Sequence, residues 1–257
     1  MNGTTRGPAL ALLLLLAAPA AAGEPATIAV AAAANLGPAA RELARGFEAE
    51  RTGVKVGLTL GASGLFLAQI RNGAPFDLFL SADREYPDQA VAEGLAAASD
   101  ERVYAIGKLV AWLPAGSTLD LERKGLAALA DPGVRRIAIA DPAVAPFGRA
   151  AEAALRAAGV YDAVKDRLVL GISVAQAAQF ATTGAADAAL LPLSLTFEGP
   201  LAGGRVYPVS AELHPRIEQA GVVLSRARDP ALARAFLAFV AGEKGRAILA
   251  KYGYGLP

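Results

Sequence analysis

Three times in succession, at residues 27–33, 54–61 and 76–81, a short β-rich run passes through a turn of small residues straight into a helical stripe. The first run, TIAVAAA, is apolar throughout and reads as a buried strand; the second alternates at Val54, Val56, Leu58 and Leu60. Leu36, Ala40, Leu43 and Phe47 then recur at helical spacing, as do Leu67 with Ile70 and Tyr86 with Ala90 and Val91. Pro38 suits the first turn of the first helix. Consecutive strand–helix units imply a parallel sheet with right-handed crossovers, and such sheets bind ligands beyond the carboxyl ends of their strands. The strand-to-helix turns are therefore the places to look for function. They hold Asn35, the stretch Gly61-Ala62-Ser63-Gly64, and Ala82-Asp83.

A second series of the same kind follows. The apolar run 103–113, interrupted by Gly107-Lys108 and stopped by Pro114, reads as a strand leaving one lobe for another. Residues 136–140 are a strand, 141–148 a loop, and 149–158 a helix that Gly159 closes as a left-handed cap. A strand at 168–172, the turn Ser173-Val174, a helix at 175–182 stopped by Gly184, and a short strand at 188–191 complete the series. Strands at 205–209 and 221–224, a return crossing at 213–217 and helices at 230–241 and 243–251 finish the chain. Two α/β sheets joined by two crossings make a hinged cleft. The division expected is lobe I at 24–107 plus 218–257 and lobe II at 108–217.

The first 22 residues stand apart from this plan. Arg6 is followed by an apolar run too short to span a bilayer, ending Ala20-Ala21-Ala22, the pattern of a cleaved secretory signal peptide. No cysteine stands at the junction to carry a lipid. Setting Arg6 aside leaves 24 of the 25 Lys and Arg against 24 Asp and Glu. That balance offers no bulk field to draw nucleic acid or a membrane surface. With no cysteine anywhere, disulfides contribute nothing to stability and an oxidising compartment poses no hazard.

Four junctions line up on the two lobes: Asn35, Ser63, Pro146-Phe147-Gly148 and Ser173-Val174. Each leaves first-turn N–H groups unpaired, and a ring of such groups is an anion cup. At Ser63 and Asn35 the competing reading is a plain helix cap. None of the four contains Lys, Arg, Asp or Glu. A proton-bearing ligand such as hydrogen phosphate needs an acceptor, so a donor-only pocket suits a fully deprotonated tetrahedral dianion. Hydrogen bonds to a charged group contribute roughly 1.5–3 kcal/mol each, so about six or seven give a gross figure on the order of 10–15 kcal/mol. After the loss of translational freedom, sub-micromolar affinity stays within reach.

Enzyme readings find less support. Gly61-Ala62-Ser63-Gly64-Leu65 lacks the last glycine of a nucleophile elbow, and neither a Walker loop nor a dinucleotide fingerprint occurs. A secreted hydrolase using Ser63 needs a base, and the lone His214 stands between Leu213 and Pro215 in the return crossing. One histidine and no cysteine leave no zinc-type cluster, and no cofactor is expected. Trp112 is expected packed at the lobe boundary, Asp83 capping the next helix, Tyr86 on a helix face against the sheet, and Arg135-Arg136 on a solvated edge.

The segments ATIAVAAAANL, LGASGLFLAQI, GAPFDLFLSAD, ADPAVAPFGRAAEAAL, LHPRIEQAGVVL and KYGYGLP, in that order along nearly the whole chain, resemble the periplasmic molybdate-binding proteins of ABC importers. The resemblance implies a two-lobed type II periplasmic binding protein fold, each lobe a mostly parallel sheet flanked by helices, with the ligand in the interlobe cleft. It implies a monomer that closes on molybdate, and also tungstate, and hands it to a membrane permease. The family's contacts fall on Asn35, where many members have serine, on Ser63, and on the backbone N–H groups of Phe147 and Val174. A family tyrosine falls at Pro192, which can donate nothing; Ser194 or a neighbouring backbone group is the suggested replacement. Sulfate or another small anion is the alternative ligand.

Overall fold

The computed structural model describes Gly3 and residues 25–257; apart from Gly3, the leader expected at 1–22 lies outside the described residues. Ala26–Ala33 (β1) passes through a tight 3-10 turn, Ala34–Leu36, into Gly37–Ala49 (α1). Val54–Gly61 (β2) passes through Ala62 into Ser63–Arg71 (α2), and Leu78–Leu80 (β3) leads to Glu85–Ala92 (α3). Ala96–Gly107 (β4) and Leu109–Leu113 (β5) lie on either side of Lys108. Leu121–Lys124 (α4), Ile137–Ala140 (β6), Pro146–Ala157 (α5), Tyr161–Val164 (α6), Leu168–Gly171 (β7), Val174–Thr182 (α7), Ala188–Pro192 (β8) and Arg205–Pro208 (β9) follow. Ile217–Leu224 (β10), Pro230–Ala241 (α8) and Glu243–Lys251 (α9) return the chain to the first lobe.

The two sheets share one plan, with strand orders β2-β1-β3-β10-β4 and β7-β6-β8-β5-β9. In each, three strands pair in parallel, and the fourth runs against both of its neighbours. Each lobe is therefore mostly parallel, with one reversed strand where the chain crosses. The crossings are Lys108, between β4 and β5, and the segment between β9 and β10.

The stripe packs as its spacing requires: Leu36 at the end of the 3-10 turn and Leu43 and Phe47 on α1 are fully buried in one core cluster with residues of α8 and α9. Burying each stabilises the lobe by about 1.5–3 kcal/mol. Gly159 follows α5 with φ of 71°, the left-handed conformation that ends a helix most easily at glycine. An aspartate precedes the third strand of each series and pins its neighbour. Asp77 accepts the backbone N–H of Ala29 (2.7 Å) and of Arg228 (2.7 Å), and Asp187 those of Arg135 (2.8 Å) and Arg136 (2.9 Å).

Several expectations change: α5 begins at Pro146 and not at 149, and β10 begins at Ile217 and not at 221, taking in the end of the expected return crossing. The run expected as one strand at 103–113 is two, and β4 begins at Ala96, through a polar stretch with exposed edges whose pairing with β10 is fixed by tertiary contacts. Trp112 does not sit at the lobe boundary. It packs inside lobe II among Ala138, Ala177 and Leu191, with its indole N–H donating to the Leu201 carbonyl (2.8 Å).

Candidate functional site

Asn35, Ser63, Phe147 and Val174 all line one cavity between the lobes, with Ala33, Ala34, Gly61, Ala62, Ala82, Ala145 and Pro146 completing the wall. Its volume is about 10 Å³, against about 420–510 Å³ for the larger surface clefts. That is room for about one water, far below the roughly 300–1,000 Å³ of sites for organic ligands, so an anion enters only as the lobes part. No charged side chain contributes to the wall.

Each lobe supplies two turns, and the turns differ in what they present. In lobe II, Pro146 opens α5 and Ser173 caps α7, its Oγ accepting from Gln176 N–H at 3.4 Å. The first-turn N–H groups of Phe147 and Val174 have no intrahelical partner and no other protein acceptor among the described residues. Their positive helix ends face the cavity. Gly148 permits this approach, since a Cβ there would stand 2.2 Å from the Ala140 carbonyl oxygen.

In lobe I the side chains take part. Ser63 is not the cap of α2: Ala62 holds that position, and Ser63 Oγ instead accepts the N–H of Ala82 at 3.0 Å. Its own proton has no protein acceptor among the described residues, so the buried hydroxyl is a free donor on the cavity wall. Asn35 is not a cap either. It sits inside the 3-10 turn, fully buried, and its Nδ2 donates to Gln219 Oε1 (3.0 Å) and Tyr254 Oη (2.9 Å).

Behind Asn35 stands a network that the sequence did not single out. The Asn35 backbone carbonyl accepts from Ser194 Oγ (2.9 Å) and Tyr254 Oη (2.8 Å), and Tyr104 Oη donates to the Ser81 carbonyl (2.7 Å) beside Gln219. Burial pushes the Tyr104 and Tyr254 hydroxyls well up from their ordinary pKa, so both remain protonated donors. Two atoms of the network lack partners, Asn35 Oδ1 and Gln219 Nε2. A half-turn of both carboxamides would bring Gln219 Nε2 onto Asn35 Oδ1 and leave Asn35 Nδ2 as a free donor where Oδ1 now lies. A lone glutamine in the apolar strand β10 and a tyrosine in the closing KYGYGLP were the available signals.

Ser194 does not line the cavity; it buttresses Asn35 from lobe II. Pro192 ends β8 in register with Leu109, also away from the wall. His214 contacts the Pro215 carbonyl through Nδ1 (2.8 Å), and no histidine or carboxylate pairs with Ser63. Asp83 is not the cap of α3, a position Arg84 holds, but one residue earlier its carboxylate accepts the first-turn Tyr86 N–H at 3.3 Å, and it also reaches across the cleft to Arg149. The lobes meet directly beside the cavity, where Gly64 N–H donates to the Val144 carbonyl at 2.9 Å.

Residues 28–255 match the family described as bacterial extracellular solute-binding protein. A relative from Rhodobacter capsulatus named molybdate-binding protein ModA is 40% identical over 96% of this chain and 94% of its own length. A protein of the same name from Azotobacter vinelandii is 37% identical over 92% of this chain and 93% of its own. The solved structure of the Azotobacter vinelandii periplasmic molybdate-binding protein superposes with a TM-score of 0.83 at 34% identity, over 90% of this chain and 99% of that one.

Proposed function

The chain belongs to the bacterial extracellular solute-binding proteins and, within them, to the molybdate-binding proteins, and from this premise we propose that it captures molybdate, and also tungstate, between its two lobes. The observation that carries the reading is the convergence of four neutral junctions from two lobes on one small cavity with no charged side chain on its wall. The donors are Ser63 Oγ, the N–H groups of Phe147 and Val174, and at Asn35 the backbone N–H with the carboxamide once turned. Helix ends of both lobes add a favourable field for a dianion. Because each lobe holds only part of the donor set, the full set exists only when the lobes are together, so binding and closure are one event.

The protein acts as a binding protein, not an enzyme. Ser63 has no base beside it to make it a nucleophile, and its oxygen is held by Ala82 N–H. After export and cleavage of the leader near Ala22, the monomer works in the periplasm and delivers the anion to the permease of an ABC importer, with no cofactor. Sulfate remains the rival ligand, since it is also a tetrahedral dianion, but it is smaller and would leave donors out of reach.

Titration calorimetry of the purified mature chain with molybdate, tungstate and sulfate tests the reading. One-to-one sub-micromolar binding of both metalates, with sulfate at least a hundredfold weaker, is expected. Heat with sulfate but none with either metalate would overturn it.

A further inference from the structure

Two residues past Phe147 on the same helix, Arg149 leaves lobe II and reaches lobe I. Its Nη1 donates to Tyr86 Oη (2.9 Å), its Nη2 pairs with Asp83 Oδ2 and lies 3.2 Å from Glu85, and its guanidinium stands over the Tyr86 ring at 5.0 Å. The partners are set before it arrives: Asp83 is already held by Ser81 Oγ (2.9 Å) and Tyr86 N–H (3.3 Å). None of the four touches the anion cavity. The contact is nonetheless adjacent to it, because a Cβ on Gly64 would stand 2.6 Å from Tyr86 Oη and 3.0 Å from Val144 Cα. Gly64, Tyr86, Asp83 and Arg149 thus form one continuous seam closing the lobes beside the cup.

We propose that Arg149 is a positioning residue that sets anion affinity from outside the cup, by holding α5 and its Phe147 N–H against lobe I. The inference rests on the oxyanion reading above. The bonds of Arg149 to Tyr86, Asp83 and Glu85, and that of Gly64 to Val144, all join the two lobes, so they are lost when the lobes separate. Free energy gained only by the closed form raises apparent affinity by raising the fraction of molecules able to complete the donor set. The ion pair is half-buried, with the Arg149 side chain 35% and the Asp83 side chain 15% exposed, so salt screens it in part. The cup itself contains no ionised side chain for salt to weaken. Asp83 also holds the Tyr86 N–H at the start of α3, which makes Arg149 the cleaner residue to change.

The test measures molybdate affinity and lobe separation together in Arg149→Met, whose side chain keeps the apolar stem and removes the fork. With no native cysteine, spin labels can be placed at Gln69→Cys on α2 and Gln179→Cys on α7, both exposed. Arg149→Met is expected to weaken molybdate roughly tenfold, mainly through faster dissociation, and Arg149→Lys to recover part of that loss. Without added anion, the label distances in Arg149→Met should shift toward the longer separation, as should those of the native chain in 0.5 M NaCl relative to low salt. Asp83→Asn combined with Arg149→Met should cost little more than Arg149→Met alone. An Arg149→Met affinity within twofold of native, or weakened affinity with unchanged label distances, would overturn the proposal. If the native chain bound no metalate, the oxyanion reading would fail, while the distances would still show whether Arg149 holds the lobes closed.

Discussion

The two lobes run the same course, β1-α1-β2-α2-β3 in one and β6-α5-β7-α7-β8 in the other, yet they furnish the cavity differently. Lobe I presents side chains, the Ser63 hydroxyl and the Asn35 carboxamide, braced by Ala82, Gln219 and Tyr254. Lobe II presents backbone alone, at Phe147 and Val174, and any residue but proline offers the same N–H there. The lesson is that the lobe II donors belong to the backbone, so the Phe147 and Val174 side chains answer to the core they are buried in, whereas in lobe I the side chains themselves meet the cavity. It also explains why the cup needs no cation. Helix starts on both sides already point positive ends inward, and the ion pair of Arg149 with Asp83 lies at the seam, off the cavity wall.

Substitutions that touch one half and not the other test this division. The largest effect is expected from Asn35→Asp, nearly isosteric, which sets a negative charge beside a dianion. Unit charges 4 Å apart interact by about 4 kcal/mol at an effective dielectric of 20, so a loss of roughly a thousandfold in molybdate affinity is expected by calorimetry. Ordinary binding by that variant at pH 7 would remove Asn35 from the site. Ser63→Ala should cost about 1.5–3 kcal/mol, ten- to a hundredfold in affinity. It should also lower the melting temperature, because the buried Ala82 N–H loses its acceptor.

Val174→Pro addresses the backbone half. Proline is tolerated at the first position of a helix and Ser173 before it is extended, with φ of −153° and ψ of 167°. The variant therefore deletes one N–H and little else. We expect about tenfold weaker molybdate binding with an almost unchanged melting temperature; native affinity would mean the anion does not use that N–H. Ser173→Ala is the matching control, costing about 0.5–1 kcal/mol of stability through the lost cap and less than threefold in affinity.

An effect on stability alone, with none expected on affinity, concerns Asp77, which pins the first series. Burial raises the Asp77 pKa, but bonds from Arg228 and Ala29 outweigh it and hold the carboxyl below its ordinary value. Its contribution is therefore present above the unfolded carboxyl's pKa near 4 and is lost as pH falls through the lowered value. Asp77→Asn should flatten the acid limb of a thermal-stability profile below about pH 4, by something on the order of 1 kcal/mol. An acid limb as steep as the native one would show that other carboxylates govern it.

Much of this was readable in one dimension. Strand, turn and helix succeed one another locally, so the period of Leu36, Ala40, Leu43 and Phe47 and the strand-to-helix turns at Ser63, Phe147 and Val174 carried the plan and the cavity wall. What escaped was held together at long range. Gln219 and Tyr254 meet Asn35 from about two hundred residues away, and Arg149 meets Asp83 across sixty-six. No local pattern encodes such pairs. The opening of β4 at Ala96 escaped for a related reason: its polar residues become a strand only because β10 lies alongside. The short helices α4 and α6, four residues each, have too few turns to show a period.

The central claim is that neutral groups of two lobes enclose a doubly charged metalate. A crystal of the tungstate complex, with tungsten located by its anomalous signal, tests it most directly. The expected peak lies between the lobes, its oxygens within hydrogen-bonding distance of Ser63 Oγ and of the Phe147 and Val174 N–H groups, with no lysine or arginine on them. A peak gripped by Arg149 or any other cation, or one lying outside this cavity, would contradict it.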